Sequence, residues 1–167
     1  MQIKTRTLVQ VALLLTLEIV LSRFLSISTP LVKIGFAFIP VVICAMVYGP
    51  VWAGIMAALG DLIGAILFPI GIYFPGFTLS SGLCGVVYGL FLYKKSCSWV
   101  SLLTMLFIIR VVINLGLSTY WLTVLTGMPF TVLASTRIVQ TIVLIPLQLI
   151  VIRALEMKLR KRITAFS

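Results

Sequence analysis

Two long apolar segments of this chain are separated by the stretch Pro69-Ile-Gly-Ile-Tyr-Phe-Pro-Gly-Phe-Thr-Leu-Ser80. The stretch carries three aromatic residues (Tyr73, Phe74 and Phe77) and no charge, whereas a plain connection between membrane helices is short and polar. Its Pro75-Gly76 pair is typical of a turn, and its rings supply flat apolar faces. We therefore predict a loop that folds back and covers a binding site for a flat organic molecule.

The composition around this stretch is that of a membrane protein. The chain has 167 residues, of which 62% are hydrophobic and 10% are charged, and its mean hydropathy is +1.26. Apolar runs of about 18 or more residues predict membrane-spanning helices. We expect residues 1–167 to form a single all-α integral-membrane domain of six spans. Glu18 interrupts the first run and no convincing cleavage site follows it, so we interpret this run as a retained helix.

The apolar runs predict spans at residues 8–24, 34–48, 51–68, 78–93, 99–118 and 131–153. The second and fourth are short for a hydrocarbon layer of about 30 Å. Lysine and arginine collect near both chain ends and in the turn after the fourth span. The positive-inside rule makes that side cytoplasmic, so both termini are expected inside. The stretch 69–80 and the segment 119–130 are then expected to face outward.

Polar residues of the spans collect in the outward half of the predicted bundle. Arg110, Asn114 and Ser118 follow one another at i, i+4 and i+8, so they share one helix face in that half. Asp61 is expected near mid-depth, and Arg23 near the outer end of the first span. The inner half stays apolar, which argues against a through-pore and against a proton relay. The pattern predicts a cup that binds a solute from outside.

The charges of this zone also predict the chemistry of the solute. Arg23, Lys33, Arg110 and Arg137 are cationic, and Asp61 is the one nearby anion. An anionic solute is therefore expected. The aromatic faces suit a planar ring, and arginine and asparagine side chains can meet the donors and acceptors of a heterocycle.

The candidate substrate-binding residues share a polar group or an aromatic ring and a place in this outer zone. They are Arg23, Lys33, Asp61, Tyr73, Phe77, Arg110, Asn114 and Trp121. Structural alternatives remain open. In one alternative to ligand binding, Arg110 and Asp61 neutralise each other inside the bundle. In another, Asn114 joins two helices by a hydrogen bond. The outermost cations and the tryptophan would sit at the membrane interface. Glu18 has no obvious partner, and we interpret it as structural.

Several short motifs in this chain are typical of one family of membrane proteins. They are Ile34-Gly-Phe-Ala-Phe-Ile-Pro40, Tyr48-Gly-Pro50, Gly60-Asp61, Tyr73-Phe-Pro-Gly-Phe-Thr-Leu79 and Gly85 to Gly89. Through them the chain resembles, over nearly its whole length, the S-components of energy-coupling factor (ECF) vitamin transporters. These are the substrate-binding membrane subunits. The pattern Asn114-Leu-Gly-Leu-Ser-Thr-Tyr-Trp121 is most similar to the folate-specific branch.

The resemblance implies six helices, a solute site at the outer face, and no ATPase within the chain. The implied partners are a transmembrane coupling subunit, two cytoplasmic ATPases and the lipid bilayer of the cell membrane. The implied ligand is folate or a related anionic vitamin. Folate has a flat pterin ring and a dianionic glutamate tail, which agrees with the residue chemistry. Docking is implied through a small-x-x-x-small pattern in the first helix, here Ala12 and Thr16, with threonine at the second position.

Other functions fit the sequence less well. A sister S-component for another small vitamin is the main alternative, although a cation such as thiamin would need more carboxylates than Asp61. A metal-dependent membrane enzyme would need clustered Asp or His, and the chain has no histidine. A Ser–Lys dyad would need a lysine inside the bundle. A purely structural subunit would not need the buried charges. We expect no catalytic residues, metal site, cofactor or nucleic-acid partner.

Overall fold

Six helices and one short two-stranded ribbon form the part of the chain that this computed structural model describes, residues 5–28, 33–69, 73–94 and 98–164. In order they are α1 (Thr5–Arg23), β1 (Ser26–Ser28), β2 (Lys33–Gly35), α2 (Phe38–Tyr48), α3 (Pro50–Leu67), α4 (Pro75–Leu92), α5 (Trp99–Thr126) and α6 (Phe130–Thr164). Helix α5 is continuous, although its segment Ile108–Leu117 has π-helical geometry. Each of the six predicted spans corresponds to one of these helices.

Five of the helices are long and apolar enough to cross a membrane: α1, α3, α4, α5 and α6. Helix α2 has 11 residues, and at about 1.5 Å per residue it covers only half of a hydrocarbon layer of about 30 Å. Large apolar side chains such as Leu13 and Ile66 are exposed on the outside of the bundle. Exposed apolar side chains of this kind suit lipid as the surrounding solvent. The helical membrane architecture predicted from composition is confirmed.

The predicted turn at Pro75-Gly76 is wrong, because α4 begins at Pro75. Proline lacks a backbone N–H, and the first helical position does not need one. The fourth span is therefore 18 residues long and is not short. Residues 70–72 of the same stretch lie outside the described residues.

The fifth span also extends further than predicted, because the helix continues through residues 119–126. The hydroxyl groups of Thr123 and Thr126 donate to the carbonyl oxygens of Thr119 and Leu122, one turn earlier. Gly127 follows with φ +69° and ends the helix in the left-handed conformation that glycine adopts easily. The outward segment predicted at 119–130 is therefore mostly helix, with only residues 127–129 outside helical structure.

A three-residue antiparallel ribbon was not predicted. Ser26 pairs with Gly35, and Ser28 pairs with Lys33. Residues 34 and 35, where the second span was expected to begin, belong to β2. Helix α2 therefore begins at Phe38 instead of residue 34. Strands this short show too little alternation of apolar and polar residues to be recognised from sequence.

The apolar core fills one half of the bundle. Its most buried members, with 0% exposure, are Val42, Cys44, Ala45, Ala53, Leu102, Met105, Leu106 and Ile152. The polar side chains of α1, α3, α5 and α6 lie in the other half, where the helices surround a cavity. The uneven distribution of polar groups predicted from the sequence is thus present in the fold.

Glycines let α3 and α4 approach closely, and these two helices form the most extensive contact of the bundle. A Cβ atom on Gly85 would lie 2.4 Å from the carbonyl oxygen of Ala53. Because that oxygen belongs to the backbone, the two helices would have to move apart. We expect Gly85→Ala to lower the free energy of unfolding by about 1–3 kcal/mol, measured as a lower midpoint of thermal unfolding in detergent.

The matched control for this stability prediction is Gly82→Ala on the same helix. A Cβ atom there would make only ordinary contact, 3.4 Å from the Cβ atom of Ala58. Equal loss of stability in the two variants would contradict the close backbone approach as the cause.

Candidate functional site

A cavity of about 630 Å³ opens into the polar half of the bundle. This volume suits a small organic ligand, since such pockets measure about 300–1,000 Å³. Every described helix contributes to the wall. The charged and amide side chains on it include Glu18, Arg23, Asp61, Arg110, Asn114 and Arg137. Their convergence from four helices gives the cavity a dense set of hydrogen-bonding groups.

Arg110 projects from the π-helical segment of α5 and is held by α6. Its Nε atom donates to Oε1 of Gln148 at 3.0 Å, and Gln148 is 1% exposed. The hydroxyl group of Tyr88 also interacts with Gln148. These contacts fix the guanidinium plane and leave its two terminal nitrogens for further hydrogen bonds.

Asp61 is held by the aromatic stretch and not by Arg110. Its Oδ2 atom accepts a hydrogen bond from the hydroxyl group of Thr78 at 3.1 Å, and Tyr73 contacts the same hydroxyl at 3.2 Å. Among the described residues, no salt bridge joins Asp61 to Arg110. The structural alternative in which these two residues neutralise each other directly is therefore absent from the fold.

Asn114 serves the helix as well as the cavity wall. Its side-chain nitrogen donates to the carbonyl oxygen of Ile109 at 2.9 Å and lies 3.9 Å from the sulfur of Cys84 on α4. The backbone carbonyl of Asn114 accepts a hydrogen bond from Nη1 of Arg137 at 3.1 Å. The alternative that Asn114 joins two helices therefore holds in part, since its side chain reaches Cys84 of α4. Its backbone carbonyl also connects α5 to Arg137 of α6.

Two arginines of the wall have unused buried donors. The Nε atoms of Arg23 and Arg137 are buried without a hydrogen-bond acceptor in the part of the chain that the structure describes. Asp61 lies close enough to Arg23 for the two opposite charges to attract each other. A buried donor without an acceptor costs about 1–3 kcal/mol. An anionic ligand in the cavity would supply the missing acceptors.

The aromatic residues form one wall of the cavity. Tyr73, Phe74 and Phe77 line it, and the rings of Phe74 and Phe77 meet edge to face at 6.3 Å. Trp121 is not on the wall. It packs behind Phe74 with 5.4 Å between ring centroids. A Cβ atom added to Gly76 would lie only 2.6 Å from the indole ring, so the glycine leaves room for the tryptophan. Trp121 therefore supports the aromatic wall from outside the cavity.

The structure places six of the eight candidate binding residues on the cavity wall: Arg23, Asp61, Tyr73, Phe77, Arg110 and Asn114. Trp121 lies behind the wall. Lys33 lies in β2, and its side chain is outside the described part of the structure. Ala12 and Thr16 lie on the exposed side of α1, where the hydroxyl group of Thr16 donates to the carbonyl oxygen of Ala12 at 3.0 Å.

The wall also contains polar residues that were not chosen as binding residues from the sequence, among them Glu18, Tyr88 and Gln148. Glu18 is 7% exposed and lies against Gly60 of α3. A sequence signal for Glu18 was present, because it is a carboxylate inside the first apolar run, where charged groups are costly. For Gln148 the signal was an amide inside the apolar run of α6, where polar groups are costly.

The fold and the cavity define a class of protein, a helical membrane protein with an internal polar pocket for a small solute. Residues 6–155 match the family described as ECF transporter, substrate-specific component, and the chain belongs to this family. It is 46% identical over 149 residues to the folate transporter FolT of Clostridium novyi (strain NT), covering 89% of this chain and 87% of that one. It is 29% identical over 153 residues to the folate transporter FolT of Leuconostoc mesenteroides subsp. mesenteroides, covering 88% and 82%.

A solved structure shows the same fold. The crystal structure of FolT bound with folic acid matches with a TM-score of 0.88 and 36% sequence identity, over 93% of this chain and 95% of that chain. The family is a transporter component and not an enzyme. Together with the five long apolar helices, membership confirms the predicted multi-pass location in the cell membrane.

Proposed function

We propose that this chain is the folate-binding S-component of an ECF-type transporter. The observation that carries the proposal is its close match, at 36% identity, to a FolT structure bound with folic acid. The cavity chemistry is consistent with that ligand. The arginines of the wall suit the carboxylates of the glutamate tail, and the wall of Tyr73, Phe74 and Phe77 suits the flat pterin ring.

The binding residues follow from this proposal. Arg23, Arg110 and Asn114 would form hydrogen bonds with folate, while Asp61 would hold Arg23 and the aromatic stretch in place. Tyr73 and Phe77 would contact the ring, and Trp121 would support them through Phe74. Lys33 stays a candidate cation for the anionic ligand on the basis of its charge. No cofactor is needed for this capture step.

Transport would proceed with both termini in the cytoplasm and the cavity open to the outside. The distribution of lysine and arginine along the chain supports this orientation. Membership of the ECF family supports a transmembrane coupling subunit and two cytoplasmic ATPases as partners. Residues 1–167 would act as one integral-membrane unit that docks through Ala12 and Thr16.

Folate binding tests the proposed function directly. We expect the isolated protein, purified in detergent without partner subunits, to bind folate without ATP, because the cavity lies entirely within this chain. Isothermal titration calorimetry with folate, riboflavin, thiamin and biotin measures this. Heat with one of the other vitamins and none with folate would assign the chain to a sister S-component.

A further inference from the structure

We propose that the carboxylate of Glu18 contacts the bound ligand and selects rings that carry an amino group next to a ring N–H. In folate this edge belongs to the pterin. The inference rests on the folate function proposed above and adds a specificity-determining residue to it. Glu18, which was expected from the sequence to be structural, would then be a binding residue.

The position of Glu18 supports this role. The residue is 7% exposed, and it lines the cavity together with Ser22, one turn further along α1. Its carboxylate lies against α3 at Gly60, where a Cβ atom would be 2.5 Å from Oε2 and 2.9 Å from Oε1. The glycine therefore provides the space that the carboxylate occupies. If this space only needed filling, an apolar side chain would do so without the cost of burying a charge.

The other two carboxylates of the chain have different surroundings. Asp61 accepts a hydrogen bond from Thr78 at the aromatic stretch. Glu156 forms a salt bridge with Arg153 at 2.8 Å and does not line the cavity. Glu18 combines a buried carboxylate with a place on the wall, which makes it suited to meet donors of a ligand.

The chemistry of the ligand needs such an acceptor. A pterin presents its amino group and the neighbouring ring N–H along one edge, and both are donors. A carboxylate accepts hydrogen bonds from donors of this kind, whereas a guanidinium has donors only. A ligand without the amino group would offer this carboxylate one hydrogen-bond donor fewer. Sites of this kind reject analogues that lack the hydrogen-bonding group much more strongly than apolar pockets do.

The experiment compares folate with an analogue in which a methyl group replaces the amino group of the ring. We expect the wild-type protein to bind the analogue at least about tenfold more weakly than folate. Glu18→Gln should weaken folate binding about tenfold and narrow the difference between the two ligands. Calorimetry gives both dissociation constants for each variant, and a purely structural role of Glu18 would weaken both ligands alike.

Two controls separate recognition from folding. Glu156→Gln removes a buried carboxylate outside the cavity and should leave both affinities unchanged. Gly60→Ala should push the Glu18 carboxylate from its place without removing it, so it should reproduce the loss of discrimination. Gly82→Ala, where a Cβ atom meets only ordinary contacts, should not. Thermal unfolding of each variant verifies that it is folded.

The outcomes are distinct. A folded Glu18→Gln variant that discriminates as well as the wild type overturns the inference and leaves the folate function intact. If Glu18→Gln does not fold, the affinities of the wild-type protein and of Gly60→Ala for the two ligands provide the test. Equal wild-type affinity for folate and for the methyl analogue overturns the inference. A wild-type protein that binds no folate overturns the proposed function itself.

Discussion

Replacing Arg110 by alanine is expected to weaken folate binding by about 2–3 kcal/mol, roughly 30- to 150-fold in affinity. Gln148 holds the guanidinium in the cavity wall through its 3.0 Å hydrogen bond to Nε, so the group is already oriented before a ligand arrives. Its removal would leave a buried acceptor of the ligand without a donor. Calorimetry with folate measures the loss.

Arg153→Ala is the matched control for this prediction. Arg153 contacts the ring of Trp99 at 5.3 Å and pairs with Glu156, and it does not line the cavity. Its removal should leave folate affinity unchanged even if stability falls. Asn114→Ala should lose less affinity than Arg110→Ala, because the Asn114 side chain already donates to the backbone of its own helix. A folded Arg110→Ala variant with wild-type affinity would assign Arg110 to helix packing.

The double substitution Ala12→Leu and Thr16→Leu is expected to abolish most ATP-driven folate uptake while leaving folate binding intact. Both residues lie on the exposed side of α1, and the hydroxyl group of Thr16 is already bonded to the carbonyl oxygen of Ala12. The pair therefore presents small apolar groups, which let a partner helix approach closely. Leucine side chains would prevent that approach. Uptake into vesicles containing the whole transporter measures the effect.

A matched pair on another helix tests whether the effect is specific. Thr131 and Ser135 are also small, exposed and four residues apart, but they lie on α6. Replacing both by leucine should leave uptake near the wild-type rate. Wild-type uptake by the α1 double variant would show that this face is not the docking surface.

The number and order of the helices could be predicted because span length and hydropathy are properties of consecutive residues. The ends of the helices could not all be predicted, because they depend on residues distant in the chain. A Pro-Gly pair suits a turn and also a helix start. At Pro75-Gly76 the fold selects the helix start, with the ring of Trp121 packed where a side chain on Gly76 would lie.

The site shows the same division between local and distant information. The spacing of Arg110, Asn114 and Ser118 predicted a shared face, and all three residues line the cavity. Their partners could not be predicted from spacing. Gln148 meets Arg110 from another helix, and Glu18 gains its place on the wall through Gly60 of α3. A periodic pattern identifies the face of a helix but not the residue that the face will meet.

The cavity wall contains residues from every described helix, including Phe38 and Val41 of the short α2. A bound vitamin would therefore contact all of these helices at once and stabilise their packing. A ligand that binds only the folded chain adds about 2.7 kcal/mol of stability at one hundred times its dissociation constant. The empty protein would then be the less stable species, and proteolysis of transiently opened molecules would remove it faster than the ligand-bound form. The abundance of such an importer would rise and fall with the supply of its own cargo, without any dedicated sensor.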